Sequence, residues 1–259
     1  MNEYLLLGPL FSLIFGLLIG SFLNCLAWRL YKEETIFGRS HCPKCLKQIE
    51  WYDNIPLISF IRLKGKCRHC SEKISWQYPL VELATGLLFY FAFLNFGASP
   101  LMLLKIFIAI AVLILVFIFD FRWYLIPVSA LIWSGAVIII LGALSYPYNI
   151  GYYIFSLVVT MALAGLFFGA QYLITRGKGL GEGDIWLGLF LGVVFPNLRG
   201  LLVAILSTYF IGSLVGIFFM VAKQKKWSSK LPLGVFLTVG ALISIFLGQG
   251  IVAWYLGLF

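Results

Sequence analysis

Residues 113–120 read Leu-Ile-Leu-Val-Phe-Ile-Phe-Asp, and this stretch carries the main signal for the fold. Seven apolar residues lead directly into Asp120. A carboxylate at membrane depth costs roughly 2.5–3.5 kcal/mol on insertion scales, so such a residue usually has a function. Beyond Glu82 the chain has only two other acidic residues, Glu182 and Asp184. Asp120 and Asp184 each stand at the boundary of an apolar segment, which suggests one shared site.

The composition is that of an integral membrane protein. The chain is 62% hydrophobic and 11% charged, with a mean hydropathy of +1.00. Soluble domains contain about 25% charged residues, and a spanning helix needs about 20 mostly apolar residues. Eight spans are predicted, of which the sixth is short: 5–28, 80–97, 101–119, 127–145, 152–174, 185–197, 200–222 and 232–257.

The basic residues predict the orientation of these spans. The amino terminus lacks the basic region of a signal peptide, so the first span is expected to be an anchor with its amino end outside the cell. Seventeen of the 19 Lys and Arg residues then lie on the cytoplasmic side, as the positive-inside rule requires. Asp120 and Asp184 fall on that same side. Orientation and anionic lipid account for the net charge of +9, so no nucleic-acid partner is expected.

The one sizeable polar segment, residues 29–79, contains two C-x2-C pairs. The pairs, Cys42 with Cys45 and Cys67 with Cys70, are separated by 21 residues, which is typical of a four-thiolate zinc site. A segment of this size forms a weak core by itself, so a structural metal is expected to stabilise it. The alternative is a pair of disulfides or four unliganded thiols, and the cytoplasmic side argues against disulfides. His41 and His69 flank the pairs and are less favoured ligands, while Cys25 is expected to pack in the first span.

The two pairs belong to an internal repeat. Residues 42–51 and 67–76 both follow the pattern C-x2-C-x3-I-x-W, with an offset of 25 residues. Each half is expected to form a zinc knuckle with its Ile and Trp packed beneath the metal. The predicted fold is therefore an all-α polytopic membrane protein with about eight transmembrane helices and a small cytoplasmic zinc-binding domain between the first two.

The two aspartates predict hydrolytic chemistry. Two carboxylates a few ångströms apart share a proton, so one can activate water as a general base while the other polarises a peptide carbonyl. The alternatives are structural: Asp184 as a helix N-cap, and Asp120 either as the partner of Arg122 in an ion pair or as an acid that extends its side chain to the membrane interface. Glu182 is expected to be a water-facing neighbour in the glycine-rich loop. That loop, with glycines at 177, 179, 181 and 183, is expected to end where a helix begins at Ile185.

These motifs together resemble those of the type IV prepilin peptidases. Gly181-Glu-Gly-Asp184 matches the G-x-G-D signature of intramembrane-type aspartyl proteases, and Asp120 followed by Ile126-Pro127 resembles the family's other catalytic motif. The position after Pro127, where the family often has Asp, is Val128 here, which favours Asp120 as the essential acid. Further similar elements flank the cysteine pairs: Gly20-Ser-Phe-Leu-Asn24 with Arg29, Asn54-Ile-Pro56 and Tyr78-Pro-Leu-Val-Glu82.

The resemblance implies a multi-pass enzyme of the bacterial inner membrane with its active site facing the cytoplasm. It implies cleavage of the leader peptide from type IV prepilins and pseudopilins by Asp120 and Asp184. It also implies methylation of the new N-terminal residue, commonly Phe, with S-adenosyl-L-methionine as methyl donor. The expected division is 1–28 as the first span, 29–79 as a zinc-binding, methyltransferase-associated domain and 80–259 as the transmembrane protease domain.

Two other functional classes fit parts of the sequence. A transporter or proton channel also contains intramembrane carboxylates and broken helices, but it does not require a zinc segment. A membrane scaffold with a zinc recognition domain leaves the two Asp motifs without a purpose. The sequence thus favours the enzyme, and loss of prepilin cleavage on substitution of either aspartate would distinguish it from both.

Overall fold

The computed structural model of the protein describes residues 3–145, 148–222 and 231–257. These residues form nine α-helices, a 3₁₀ turn at Trp51–Asp53 and a mainly irregular cysteine segment, and their only β-type pairing consists of two isolated bridges near the cysteine pairs. The predicted all-α fold is therefore confirmed. The helices are α1 Glu3–Tyr31, α2 Ile58–Arg62, α3 Gln77–Phe96, α4 Pro100–Trp123, α5 Val128–Ser145, α6 Ile150–Thr175, α7 Glu182–Val194, α8 Leu198–Val221 and α9 Leu233–Leu256.

Seven helices within the described ranges are long and apolar enough to span a membrane, namely all except α2 and α7. The predicted short span at 185–197 corresponds to α7, which has 13 residues. Its length is about 20 Å, whereas the hydrocarbon core is about 30 Å thick. The eighth expected segment is thus a short helix, not a membrane-spanning one. Residues 223–230, whose four lysines are among the seventeen basic residues assigned to the cytoplasmic side, lie outside the described residues.

The chain divides into two compact units, residues 1–103 and 104–259. In the first unit, α1 packs along α3. A Cβ atom placed on Gly16 would lie 2.8 Å from the Cα of Gly86, and one placed on Gly20 would lie 2.8 Å from the Cα of Glu82. Glycines four residues apart allow this close approach of two helix backbones, as is common in membrane proteins.

In the second unit, the short helix α7 lies among longer helices and contacts α5, α6 and α9. Leu187 and Leu191 are completely buried. Gly192 brings α7 against the backbone of α6, since a Cβ atom there would lie 2.7 Å from the Cα of Met161. The hydroxyl of Thr160 also donates to the carbonyl of Gly192 at 2.9 Å. Apolar burial and small residues thus fix the helix whose first turn carries Asp184.

Candidate active site and metal site

Asp120 lies in the last turn of α4 and is only 6% exposed. Its Oδ2 atom accepts a 2.9 Å hydrogen bond from the backbone N–H of Val235, and the N–H of Gly234 also donates to it. Arg122 instead places its guanidinium over the ring of Trp123, 5.2 Å from the centroid. The ion pairs among the described residues do not include Asp120. Its partners are therefore backbone donors, and the predicted alternative of an ion pair with Arg122 is wrong.

The connection from α4 to α5 follows the sequence prediction. α4 ends at Trp123, and Tyr124 turns the chain with a φ of 54°. Pro127 immediately precedes α5, and its carbonyl accepts the N–H of Ala130 at 3.0 Å. Asp120 therefore ends one span a few residues before the next begins, as expected.

Asp184 lies in the first turn of α7, which begins at Glu182 and not at the predicted Ile185. Gly181 takes the N-cap position, and its N–H donates to Oδ2 of Asp184 at 2.9 Å. The N-cap alternative for Asp184 is therefore wrong, because this carboxylate occupies the third helical position and closes a capping box. Two carboxylates at helix ends remain, one closing α4 and one opening α7.

One glycine of the loop brings the two aspartate motifs together. A Cβ atom on Gly183 would lie 2.9 Å from Cβ of Ile126, so the first turn of α7 packs directly on the residue before Pro127. Farther back, Gly177 has a φ of 70°, a conformation that glycine adopts without strain. The loop glycines thus serve a tight turn and a close approach.

The two carboxylates also interact electrostatically. Burial raises the pKa of Asp184 to about 6, the N–H of Gly181 opposes that rise, and the negative charge of Asp120 adds to it. Glu182 is exposed, as predicted, and it accepts a 3.0 Å hydrogen bond from the hydroxyl of Tyr172. Asp184 thus keeps its proton to a higher pH than an ordinary carboxyl does, and the charge of Asp120 contributes to this.

The sequence did not predict that α9 contributes to this site. Pro232 and Gly234 mark the start of that helix, and a Cβ atom on Gly234 would lie 2.8 Å from Oδ2 of Asp120. A proline followed closely by glycine at the head of an apolar segment was the available signal. It predicts a helix start with a close backbone approach, but it does not indicate which side chain is approached.

The four paired cysteines converge as predicted. The sulfur atoms of Cys42, Cys45, Cys67 and Cys70 all lie within 4.8 Å of one another. Those of Cys42 and Cys70 are 3.8 Å apart, which is about the edge of a tetrahedron with 2.3 Å zinc–sulfur bonds. The N–H of Cys70 lowers the pKa of Cys67 to about 7; burial opposes this fall, and the N–H of His69 adds to it. The cluster can hold a metal ion.

The internal repeat appears in the backbone of the cysteine segment. The N–H of Cys42 donates to the carbonyl of Lys47 at 2.9 Å, and the N–H of Cys67 donates to that of Glu72 at 2.8 Å. Leu46 and Ser71 both have positive φ, at 58° and 57°. Residues 25 positions apart thus adopt the same knuckle. The prediction that the tryptophans pack beneath the metal is wrong, since the side chains of the pair at 51 and 76 are 72% and 70% exposed.

A buried polar network links the cysteine segment to the helices of the first unit. Glu82 is 7% exposed and accepts a 2.8 Å hydrogen bond from the N–H of Leu57. Asn24 is 2% exposed, accepts from the side chain of Gln77 at 3.1 Å and donates to the carbonyl of Tyr78. These polar residues belong to the motifs quoted from the sequence. Their hydrogen bonds attach α1 and the cysteine segment, the latter at Leu57, to α3.

Known proteins resemble this chain along most of its length. A model of the Bacterial Peptidase A24 N-terminal domain matches residues 14–96. The chain is 33% identical over 224 residues to a prepilin leader peptidase/N-methyltransferase of Myxococcus xanthus, covering 83% of this chain and 65% of that relative. It is 32% identical over 279 residues to the type 4 prepilin-like proteins leader peptide-processing enzyme of Escherichia coli, covering 95% and 96%.

A third relative, the prepilin leader peptidase/N-methyltransferase of Legionella pneumophila, is 28% identical over 285 residues, covering 98% of this chain and 94% of that protein. No solved structure matches the chain. Near-complete coverage at about 30% identity includes both the cysteine segment and the two aspartate motifs. The chain therefore belongs to the prepilin leader peptidase/N-methyltransferase family.

Proposed function

We propose that this protein removes the leader peptide from type IV prepilins and pseudopilins and then methylates the new N-terminal residue. The observation that carries the proposal is the pair Asp120 and Asp184. Asp120 lies at the end of α4 and Asp184 at the start of α7, and Gly183 of α7 packs against Ile126 in the connection that follows α4. The charge of one carboxylate acts on the other. The relatives named as processing enzymes of this kind support the assignment.

Cleavage requires only the two carboxylates and a water molecule. The ionised carboxylate takes a proton from water while the water oxygen forms a bond to the carbonyl carbon of the scissile peptide. The protonated carboxyl donates its proton to the carbonyl oxygen, which gives a tetrahedral diol. When the carbon–nitrogen bond breaks, the first carboxyl returns its proton to the leaving amine and the second takes one from the diol.

The location of the site suits this class of substrate. Asp120 and Asp184 lie at helix ends, and we propose that both face the cytoplasm, as the distribution of basic residues requires. Seven long apolar helices, together with the relatives named as prepilin-processing enzymes, indicate a multi-pass protein of the bacterial inner membrane. A substrate with an apolar helix in the same bilayer would present its scissile bond at that depth.

Zinc is the metal that we propose for the four cysteines. Four thiolates in a compact cluster are typical of structural zinc, and they leave no open position for a reacting water. The ion would hold the two knuckles together. It would not take part in peptide cleavage.

We assign methyl transfer to residues 29–79, peptide cleavage to residues 80–259 and membrane anchoring to residues 1–28. S-adenosyl-L-methionine would supply the methyl group. The free N-terminal amine of the mature pilin would form a bond to the methyl carbon as the carbon–sulfur bond breaks, S-adenosyl-L-homocysteine would leave, and the amine would lose a proton. A leader must therefore be removed before methylation. The hydrogen bond between the N–H of Leu57 and Glu82 supports a defined position for residues 29–79 relative to α3.

The test uses purified protein in detergent with a type IV prepilin and methyl-labelled S-adenosyl-L-methionine. Mass spectrometry is expected to show the leader and a mature pilin that carries label at its N-terminus, with no label on uncleaved precursor. An intact precursor after prolonged incubation would contradict the peptidase, and unlabelled mature pilin would contradict the methyltransferase. The transporter hypothesis is not favoured, since the relatives are named as processing enzymes.

A further inference from the structure

The first turn of α9 donates backbone hydrogen bonds to the carboxylate of Asp120, a contact that the cleavage reaction described above does not use. The first N–H groups of a helix have no acceptor within the helix. In α9 the N-cap is Pro232, and it makes no side-chain capping hydrogen bond. Oδ2 of Asp120 accepts from the N–H of Val235 at 2.9 Å and also from the N–H of Gly234. A side chain from α4 thus caps α9.

Glycine at position 234 is needed for this contact. A Cβ atom there would lie 2.8 Å from Oδ2 and 3.1 Å from Cγ of Asp120. Any larger residue would displace the carboxylate or separate α9 from α4. Since Gly234 is buried and the helix continues from it, the close approach explains the residue better than a turn does.

The contact also makes the two carboxylates unequal. Two backbone donors at the positive end of a helix stabilise negative charge on Asp120. Asp184 also lies at the amino end of a helix, α7, but it accepts one backbone donor, from the N-cap Gly181. Neither carboxylate belongs to an ion pair within the described residues.

We infer that the first turn of α9 positions Asp120 and keeps it as the anionic member of the pair, so that Asp120 is the general base and Asp184 carries the proton. This inference rests on the proposed peptidase function. In cleavage, Asp120 takes the proton of the attacking water and later gives it to the leaving amine. Asp184 donates its proton to the carbonyl oxygen and recovers one from the diol.

The other ionisable groups near the pair agree with this assignment. The pKa of Asp184 is raised to about 6 by burial, with the N–H of Gly181 opposing and the charge of Asp120 adding to the rise. On α7, Glu182 accepts a hydrogen bond from the hydroxyl of Tyr172 of α6. On α8, the hydroxyl of Tyr209 interacts electrostatically with Asp184. α5 and α9 contain no Asp, Glu, Lys, Arg or His.

The first experiment compares Gly234→Ala with Gly250→Ala in prepilin cleavage. Gly250 lies on the same helix with nothing within 4 Å of an added Cβ atom, so it is a matched control. Gly234→Ala is expected to lower kcat about 100-fold with little change in KM, as for a reacting group displaced by about 1 Å. The low-pH limb of kcat is expected to move to higher pH, because the base has lost donors to its anion. Gly250→Ala is expected to match the unmodified protein.

A folded Gly234→Ala protein with unchanged kcat and unchanged pH profile would overturn the inference, while a purified natural chain that fails to cleave prepilin would refute the peptidase itself.

A second measurement does not depend on the folding of Gly234→Ala. Infrared difference spectra near pH 6 are expected to show a protonated carboxyl band that disappears in Asp184→Asn and persists in Asp120→Asn. The opposite pattern would also overturn the inference.

Discussion

The backbone N–H of Val235 donates a 2.9 Å hydrogen bond to Oδ2 of Asp120, although the two residues are 115 positions apart in the chain. The bond joins the end of α4 to the beginning of α9. α9 in turn packs along α8, where the hydroxyl of Thr208 donates to the carbonyl of Phe236 at 3.3 Å. The position of Asp120 therefore depends on helices far from it in sequence, as well as on the motif in which it stands.

The rate of cleavage is expected to fall as pH rises through about 6. Burial, opposed by the N–H of Gly181 and assisted by the charge of Asp120, raises the pKa of Asp184 to that value. The carboxyl therefore carries its proton below pH 6 and loses it above. If Asp184 supplies the acid, kcat falls by about tenfold per pH unit well above this pKa. A kcat profile measured from pH 5 to 9 that stays flat or rises above pH 7 would contradict the assignment.

The raised pKa of Asp184 also predicts how the stability of the folded protein changes with pH. Because the folded state binds this proton more tightly than the unfolded state, its stabilising contribution is present below about pH 4 and is lost as pH rises through about 6. Asp184→Asn should remove that part of the pH dependence of thermal unfolding. Identical dependence in the variant and the natural chain would show that Asp184 has an ordinary pKa.

Gly192→Ala is expected to destabilise the protein and reduce cleavage, although position 192 is at the far end of α7 from Asp184. An added Cβ atom would lie 2.7 Å from the Cα and 2.8 Å from the N of Met161, and backbone atoms cannot move aside locally. Overpacking of this kind costs about 1–3 kcal/mol. Gly169→Ala on α6 is the control, since nothing lies within 4 Å of its Cβ. Equal melting temperatures for the two variants would contradict the tight packing of α6 and α7.

A double Cys42→Ser, Cys45→Ser variant is expected to lose its metal. The purified natural chain should contain about one zinc per chain, as for a site of four thiolates, and the variant should contain almost none. Cys25→Ser is the control, because Cys25 lies outside the cluster, with its sulfur 3.7 Å from the hydroxyl oxygen of Ser40. Metal content is measured by mass spectrometry. Unchanged zinc in the double variant would refute the four-thiolate site.

Glu82→Ala is expected to reduce methyl transfer more than cleavage. The substitution removes the acceptor of the N–H of Leu57 and so loosens the connection between the cysteine segment and α3. Leaving a buried donor unsatisfied costs about 1–3 kcal/mol. Glu34→Ala, at an exposed position in the same unit, is the control. Equal losses of methylation and cleavage would contradict the assignment of methyl transfer to residues 29–79.

The sequence predicted those features that depend on residue type and spacing. The repeated cysteine pairs predicted a repeated backbone conformation, and the equivalent hydrogen bonds donated by the N–H groups of Cys42 and Cys67 confirm it. The exposed tryptophans at 51 and 76 were mispredicted, because a repeated apolar residue does not show which side of a knuckle it occupies.

Two other features could not be read from residue type. Every residue except proline carries a backbone N–H, so the donation from Val235 to Asp120 has no signature in the sequence. The start of α7 was placed three residues late, since Gly181 and Gly183 read as loop glycines. In the structure they are the cap of the helix and the point of its approach to Ile126.

We propose that Asp120 and Asp184 together cleave the prepilin, and the decisive measurement is the activity of separate Asp120→Asn and Asp184→Asn variants. Each variant is purified in detergent and incubated with prepilin, with Glu182→Gln as the control because Glu182 is an exposed neighbour outside the pair. We expect Glu182→Gln to release the leader and neither Asp variant to do so, while each variant retains its fold and its metal. Full cleavage by either Asp variant would contradict this proposal.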